Sequence, residues 1–249
     1  MKQISILMYH QVGRFARPLA HRAGYCDFGR FRRQMACLDW LGVDVIGLSE
    51  AVDLLAGGKS LAREAVVLTF DDGYMNFQKY AQPVLERYGF PATVYLVSSL
   101  LGKNAEWLSG GRAERSPLMD PSAIRALAAK NITFGSHTLT HRPLAQLDAG
   151  ALREEIFRSK SQLTALTGAA VEHFCYPFGS LDDAVVRLVR EAGYRSAVSC
   201  NRGAAVRGGD LFVLPRKAIS WGDSLAGFLW KLKIKNRIKI NAADLRQTV

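Results

Sequence analysis

Short apolar runs alternate with amphipathic stretches along almost the whole chain, and this alternation constrains the fold more than any other feature. The strand candidates are residues 4–8, 43–46, 65–69, 92–97, 132–135, 171–175, 196–199 and 211–214, with helical patterning between most of them. Ser49 ahead of residues 50–55, and Asp120-Pro121 ahead of residues 122–124, read as capped helix starts, the second with proline in its first turn. Strands separated by helices favour an α/β barrel. The chain has 249 residues, 49% apolar and 22% charged, and no low-complexity linker. That suits one large soluble domain and excludes a disordered or membrane-spanning class.

Two motifs at strand ends carry the chemistry. Thr69-Phe70-Asp71-Asp72-Gly73 closes the apolar run 65–68, and Ser136-His137-Thr138-Leu139-Thr140-His141 follows the run 132–135. Alone, Asp-Asp-Gly is a common turn signal, and histidines four apart often cap helices or lie on a solvated face. Together they make a facial set of two histidines and one carboxylate, which leaves coordination positions open. If Asp72 binds the cation, Asp71 is left beside it, kept ionised by the metal's charge, as the base for an attacking water. The paired aspartates therefore predict hydrolysis, and barrel enzymes place such residues at the C-terminal ends of their strands.

These residues resemble the first two motifs of the polysaccharide deacetylases, the NodB-like carbohydrate esterases of family four. A third family element, an aromatic-Pro-aromatic-Gly turn, is matched by Tyr176-Pro177-Phe178-Gly179. The resemblance spans roughly residues 4–220 and implies an irregular, incomplete (β/α)7-type barrel of about seven strands in one domain. Residues 1–222 would then form the catalytic domain and 223–249 a basic C-terminal tail or helix.

Most relatives carry a late catalytic histidine, yet no histidine follows His173 here. The opening Ile6-Leu7-Met8-Tyr9-His10 instead resembles members with a circularly permuted motif order, including biofilm poly-N-acetylglucosamine deacetylases. His10 then takes the general-acid role; without the motifs it would read as a structural histidine at a strand end. His21 and His173 have no motif support and are expected to be structural or peripheral. Many relatives orient the base with an arginine in the third motif, but residues 171–176 contain none. Arg216, in Leu214-Pro215-Arg216, is the candidate replacement, against a reading as a surface arginine at a strand exit.

The resemblance implies a metal-dependent hydrolase that removes N-acetyl groups from an amino-sugar glycan or glycan precursor. Asp72, His137 and His141 would hold a divalent cation, zinc by default, although the same set accepts iron, cobalt or nickel. Asp71 would act as base, His10 as acid and the Phe178 backbone N–H as oxyanion donor, with Tyr176 and Pro177 binding substrate. Two alternatives stay open. One is a deformylase or O-deacetylase on another acyl sugar; the other is an inactive carbohydrate-binding protein, suggested by the missing third-motif arginine.

The net charge of +11 is concentrated in residues 14–33 and 231–239. The run Phe228-Leu229-Trp230-Lys231-Leu232-Lys233-Ile234-Lys235 interleaves basic and apolar residues. It fits peripheral contact with an anionic membrane, or a solvated edge whose lysines block aggregation. No recognition motif accompanies the charge, which sets nucleic acid aside. Four scattered cysteines without a Cys-x-x-Cys pair, and a short N-terminal apolar run without the features of an export signal, lead to the expectation of a cytoplasmic enzyme. Its substrate would then be a lipid-linked or growing glycan.

Overall fold

A computed structural model describes residues 3–18, 21–57, 63–108 and 116–240. Strands β1 (Ile4–Tyr9), β2 (Gln11–Gly13) and β3 (Tyr25–Asp27) precede helix α1 (Phe28–Trp40). After β4 (Asp44–Val45), α2 (Leu48–Leu55), β5 (Ala65–Phe70) and α3 (Gln82–Tyr88) come β6 (Ala92–Leu96), α4 (Pro121–Ala128), β7 (Ile132–Ser136) and α5 (Ala149–Thr167). The described chain ends with β8 (His173–Cys175), α6 (Asp183–Glu191), β9 (Ser196–Arg202), β10 (Leu214–Ala218) and α7 (Leu225–Lys233).

Seven strands close a parallel barrel in the order β1-β10-β9-β8-β7-β6-β5, and β5 returns to β1 in unbroken register from Ile4 beside Ala65 to Tyr9 beside Phe70. The short β4 shares the other edge of β5 with β6, pairing with Ala65 and Val66 while β6 pairs with Thr69 and Phe70. The chain thus forms the expected (β/α)7-type barrel. The consecutive apolar runs of β1, β5 and β6 are buried at every residue, as strands covered on both faces must be.

Alternate residues serve two cores. Leu7, Tyr9, Val66, Leu68 and Phe70 pack with the surrounding helices, whereas Ile4, Ile6, Val67, Tyr95, Cys175, Val198 and Leu214 fill the interior. Helix α2 joins this inner cluster through Leu48, Ala51, Val52 and Leu55. It therefore closes the N-terminal end of the barrel and leaves the opposite end for chemistry. Five helices are fixed at their starts by a side chain accepting a backbone N–H three residues on, from Asp27, Asp120, Asp148, Asp182 and Ser224.

The structure corrects two local expectations. Helix α2 begins at Leu48 behind Gly47, so Ser49 is not its cap; the Ser49 hydroxyl instead meets His173 Nε2 at 2.8 Å. The last barrel strand is Leu214–Ala218 rather than 211–214, because Asp210 accepts from the backbone N–H groups of Phe212 and Val213 and curls that segment into a turn. Residues 223–249, expected as a basic tail or helix beyond the catalytic domain, include a helix that packs on the barrel. Helix α7 buries Phe228 and Leu232 in the main core, each contributing about 1.5–3 kcal/mol, and Lys217 donates to Leu232 O at 2.9 Å. The segment through residue 240 is part of the barrel domain; residues 241–249 of the expected tail lie outside the described residues. No helix among the described residues is long and apolar enough to cross a membrane.

Candidate active site

Asp71, His10, His137 and Tyr176 each follow directly on the last residue of a barrel strand, so the parallel sheet delivers them to one end. There a cavity of about 210 Å³ is lined by Asp71, Asp72, His10, His137, His141 and Tyr176, among others. The loops that shape it are held in unusual backbone conformations. Asp72, Thr138, His141 and Phe178 have φ of 72°, 70°, 64° and 59°, left-handed values that non-glycine residues rarely adopt. Gly73 continues the first of these turns with φ of 73°, and a Cβ there would lie 2.7 Å from Leu96.

Asp72 Oδ1 lies 3.3 Å from His137 Nε2 and 3.3 Å from His141 Nε2, and the two ring nitrogens are 3.2 Å apart. All three side chains are buried. His137 Nδ1 is 2.8 Å from the Cys175 carbonyl oxygen, an acceptor, so Nδ1 carries the proton and Nε2 presents a lone pair. A carboxylate and two imidazole nitrogens converging this closely form a donor set that could hold a cation. Burial acts to lower the pKa of His137, but neighbouring Cys175 and Asp72 outweigh it and hold the ring well above its ordinary value, whereas burial holds His141 below it. For Asp72, burial acts to raise the carboxyl, and the hydrogen bonds of His137 and His141 reverse that to well below the usual range. Ligands about 2.0–2.1 Å from one zinc ion at tetrahedral angles are separated by roughly 3.4 Å, so the donor set fits a divalent metal. A second grouping, Asp71, His137 and Cys175, fits less well. Its carboxylate is already taken by an arginine, and burial raises the Cys175 thiol.

That arginine is Arg216. It lies within β10 rather than beyond a strand exit, with 1% of its surface exposed. Nη1 and Nη2 donate to Asp71 Oδ1 and Oδ2, both at 2.7 Å, in a bidentate pair. Nε donates to Ser199 O at 3.0 Å and Nη1 also to Thr69 Oγ1 at 3.2 Å, so the guanidinium is pinned at its base. Burial would raise the Asp71 carboxyl, but Arg216, assisted by His10 and His137, holds it below its ordinary pKa. His10 Nε2 stands 3.9 Å from Asp71 Oδ2, and its buried Nδ1 has no hydrogen-bond partner among the described residues.

The third-motif residues divide. Phe178 lines the cavity, half-exposed, with its ring edge-on to His141 at 4.7 Å. Tyr176 forms part of the wall, buried, with its hydroxyl donating to Phe212 O at 2.9 Å. Pro177 is buried and absent from the cavity lining, so its substrate-binding assignment is corrected to a role in shaping the turn. Of the other histidines, His173 is structural, fully buried between Ser49 and Ser196. His21, expected to be peripheral, reaches the cavity rim.

Two residues at the site carry no motif signal. Trp107, between β6 and α4, lies 3.9 Å from the His141 ring on centroids, so that ring packs against both Trp107 and Phe178. Glu155, on α5, accepts from the backbone N–H groups of Leu139 and Thr140 at 2.9 Å each and from the Thr140 hydroxyl. It holds the loop between the two histidines. The signal for it is its position: Leu152, Glu155, Ile156, Ser159 and Leu163 form the buried stripe of α5, where a carboxylate needs a partner.

Comparison with known proteins bears on family and fold. The family model described as Polysaccharide deacetylase matches residues 58–197. The Bacillus subtilis protein YxkH is 25% identical over 226 residues, covering 91% of this chain and 75% of that one. The Escherichia coli poly-beta-1,6-N-acetyl-D-glucosamine N-deacetylase is 25% identical over 228 residues, 79% of this chain but only 34% of that enzyme's length. In fold, the Streptococcus pyogenes deacetylase PplD superposes with a TM-score of 0.80 at 23% identity, covering 93% of this chain and 98% of that one. IcaB from Ammonifex degensii gives 0.77 at 23% identity, covering 93% and 97%.

Proposed function

Since the chain belongs to the polysaccharide deacetylase family, we propose that it is a metal-dependent N-deacetylase acting on an amino-sugar-containing glycan or glycan precursor. The observation that carries this reading is the division of labour between adjacent aspartates. Asp72 converges with His137 and His141 on one point, while Asp71 is turned away onto Arg216. A divalent metal held by Asp72, His137 and His141 would lower the pKa of a coordinated water from 15.7 to about 7 and polarise the acyl carbonyl.

The protein's own residues do the rest. Asp71, kept ionised by Arg216, accepts the proton of the attacking water. His10, beside the same carboxylate and partly open to the cavity, delivers a proton to the departing amine, and the Phe178 backbone N–H stabilises the oxyanion. The cavity is smaller than the roughly 300–1,000 Å³ that engulfs a drug-sized ligand, which suits entry of one acylated sugar while the remaining glycan lies outside. An amide needs both a base and an acid, since its leaving amine must be protonated; the presence of both Asp71 and His10 favours N-deacetylation over a binding-only role.

Zinc is the metal we propose, from the two-nitrogen, one-oxygen donor set. Cys26, Cys37 and Cys175, none in a disulfide, suit a reducing compartment, the basis for proposing a cytoplasmic site of action on a lipid-linked or growing glycan. Exposed Trp230, Ile234, Ile238 and Ile240, interleaved with Lys233, Lys235, Arg237 and Lys239, support peripheral contact with an anionic membrane. The test is a mass-spectrometric screen of metal-loaded protein on matched N-acetyl, N-formyl and O-acetyl glycans. Acetate release from the N-acetyl series is expected. Release confined to formate or to the O-acetyl series would replace this reading with the deformylase or O-deacetylase alternative.

A further inference from the structure

Beside the candidate active site, at the C-terminal ends of β9 and β10, lies a second cavity of about 200 Å³ bordered by Arg202, Arg216, Lys217, Lys231 and Lys235. Cys200 lines both cavities, so the two adjoin. The charges around the second are unbalanced. Arg216, in its floor, is neutralised by Asp71, and Lys231 by Asp223 at 2.6 Å. The other three have no carboxylate partner. Lys217 Nζ spends its donors on neutral oxygens, Ser5 Oγ, Leu232 O and Asn236 Oδ1. Lys235 lies over the Trp230 ring at 4.3 Å. The Arg202 side chain makes no hydrogen bond or ion pair among the described residues, although its backbone is fixed to Lys239 in both directions.

We propose that this cavity is an anion subsite of the active site, and that the glycan it serves carries a phosphate next to the acylated sugar; the proposal rests on the N-deacetylase reading of the adjoining site. Three cations without a carboxylate partner around a partly enclosed space repel one another and gain from an anionic ligand, with Arg202 and Lys235 the two free to donate to it, since Lys217 already spends its donors. Phosphate matches them better than carboxylate. It takes a bidentate arginine and, as a diphosphate, carries two charges and four non-bridging oxygens where a carboxylate has one charge and two oxygens. The Lys235 ammonium is already placed over the Trp230 ring, which reduces the ordering cost of binding. Burial first, then the neighbouring Arg202 and Lys231, act to lower the pKa of Lys235. Lys217 is pushed down to about 8, chiefly by burial. Two sources supply the same chemistry, an isoprenyl diphosphate at the reducing end or a phosphodiester within a polymer.

The test uses the metal-loaded full chain and an N-acetylated oligosaccharide in four matched forms: neutral, phosphodiester-linked, isoprenyl diphosphate-linked and uronic-acid-bearing. Binding is read by calorimetry on the Asp71→Asn protein, and turnover on the wild type. At least one phosphate form should bind tenfold or more tighter than the neutral form, and the better of the two identifies the source. In Arg202→Gln/Lys235→Gln protein that ratio should collapse to within about twofold; Lys235→Glu alone should invert it. Both positions are partly exposed and outside the main core, and an unchanged thermal transition verifies folding. Equal binding of neutral and phosphate forms, a preference for the uronic acid, or a preference that survives the double substitution would each overturn the subsite. Tight, Arg202-dependent phosphate binding without acetate release from any form would sustain the subsite and refute the deacetylase reading.

Discussion

Replacing Arg216 by methionine is the perturbation whose outcome follows most completely from the structure. The side chain keeps its approximate volume but loses every donor, so Asp71 Oδ1 and Oδ2, Ser199 O and Thr69 Oγ1 lose the contacts made at 2.7, 2.7, 3.0 and 3.2 Å. Removing one partner of a buried ion pair costs about 3–5 kcal/mol, because the remaining charge is uncompensated. In Arg216→Met protein, unfolding in urea should therefore shift by about that amount. Adding Asp71→Asn should recover most of the loss, since neither charge then remains; the coupling in this double-mutant cycle isolates the pair.

A functional signature accompanies the thermodynamic one. Arg216 is the strongest influence holding Asp71 below its ordinary pKa, against the burial that would raise it. Without the arginine, the acid limb of the pH–kcat/KM profile should move to higher pH and turnover at neutral pH should fall. Arg216→Lys should show the same direction, because one ammonium cannot make the bidentate fork. An Arg216→Met protein within about 0.5 kcal/mol of wild type, or one whose acid limb stays in place, would refute the assignment of Arg216 as the group that positions and ionises the base.

Three further outcomes are expected. His10→Ala should lower kcat by about 10²–10⁴-fold with metal content unchanged, and by much less on an activated aryl acetate whose leaving group needs no proton; equal losses on both substrates would remove His10 from the acid role. Glu155→Gln, which removes the charge and replaces the oxygen that accepts the Thr140 hydroxyl with an amide N–H donor, should weaken metal affinity by about 10–100-fold; unchanged affinity in a metal titration would reduce Glu155 to a purely structural role. His173 is depressed by burial to about 4, so the fold holds it neutral while the unfolded chain protonates near 6.5. The unfolded state then binds more protons between these values, and stability that is complete above about pH 6.5 declines as pH falls toward 4, by about 3 kcal/mol in all. In His173→Gln protein the slope of unfolding free energy between pH 7 and 5 should flatten; an unchanged slope would contradict the assignment.

How much of this was legible in the sequence depends on the range of the interactions involved. Strands buried on both faces announce themselves as consecutive apolar residues, so the barrel followed from runs such as Val66-Val67-Leu68, and the clustering of Asp71, His10 and His137 followed from their places at strand ends. The metal triangle was readable because Asp-Asp-Gly and His-x-x-x-His are local motifs. Arg216 was readable only as a candidate for a missing partner. Its strand was misplaced by three residues, since the apolar Leu211 and Phe212 that suggested a strand belong to a turn organised by Asp210. Glu155 and Trp107 act across 16 and 34 residues of chain on Leu139 and His141, distances at which spacing carries no signal. Residues 223–249 read as a basic tail or helix because their charge is conspicuous, whereas what docks α7 on the barrel, Phe228, Leu232 and the buried Lys217, is tertiary.

The central claim is that adjacent aspartates have been given separate tasks, Asp72 to hold a metal and Asp71 to move a proton. It is tested most directly by measuring bound metal and acetate release together in Asp71→Asn and Asp72→Asn proteins, each loaded and dialysed as the wild type. The structure predicts that Asp71→Asn keeps stoichiometric metal while losing nearly all turnover, and that Asp72→Asn loses both, because only Asp72 lies 3.3 Å from both histidine nitrogens. Full metal occupancy in Asp72→Asn, or normal turnover in Asp71→Asn, would contradict it.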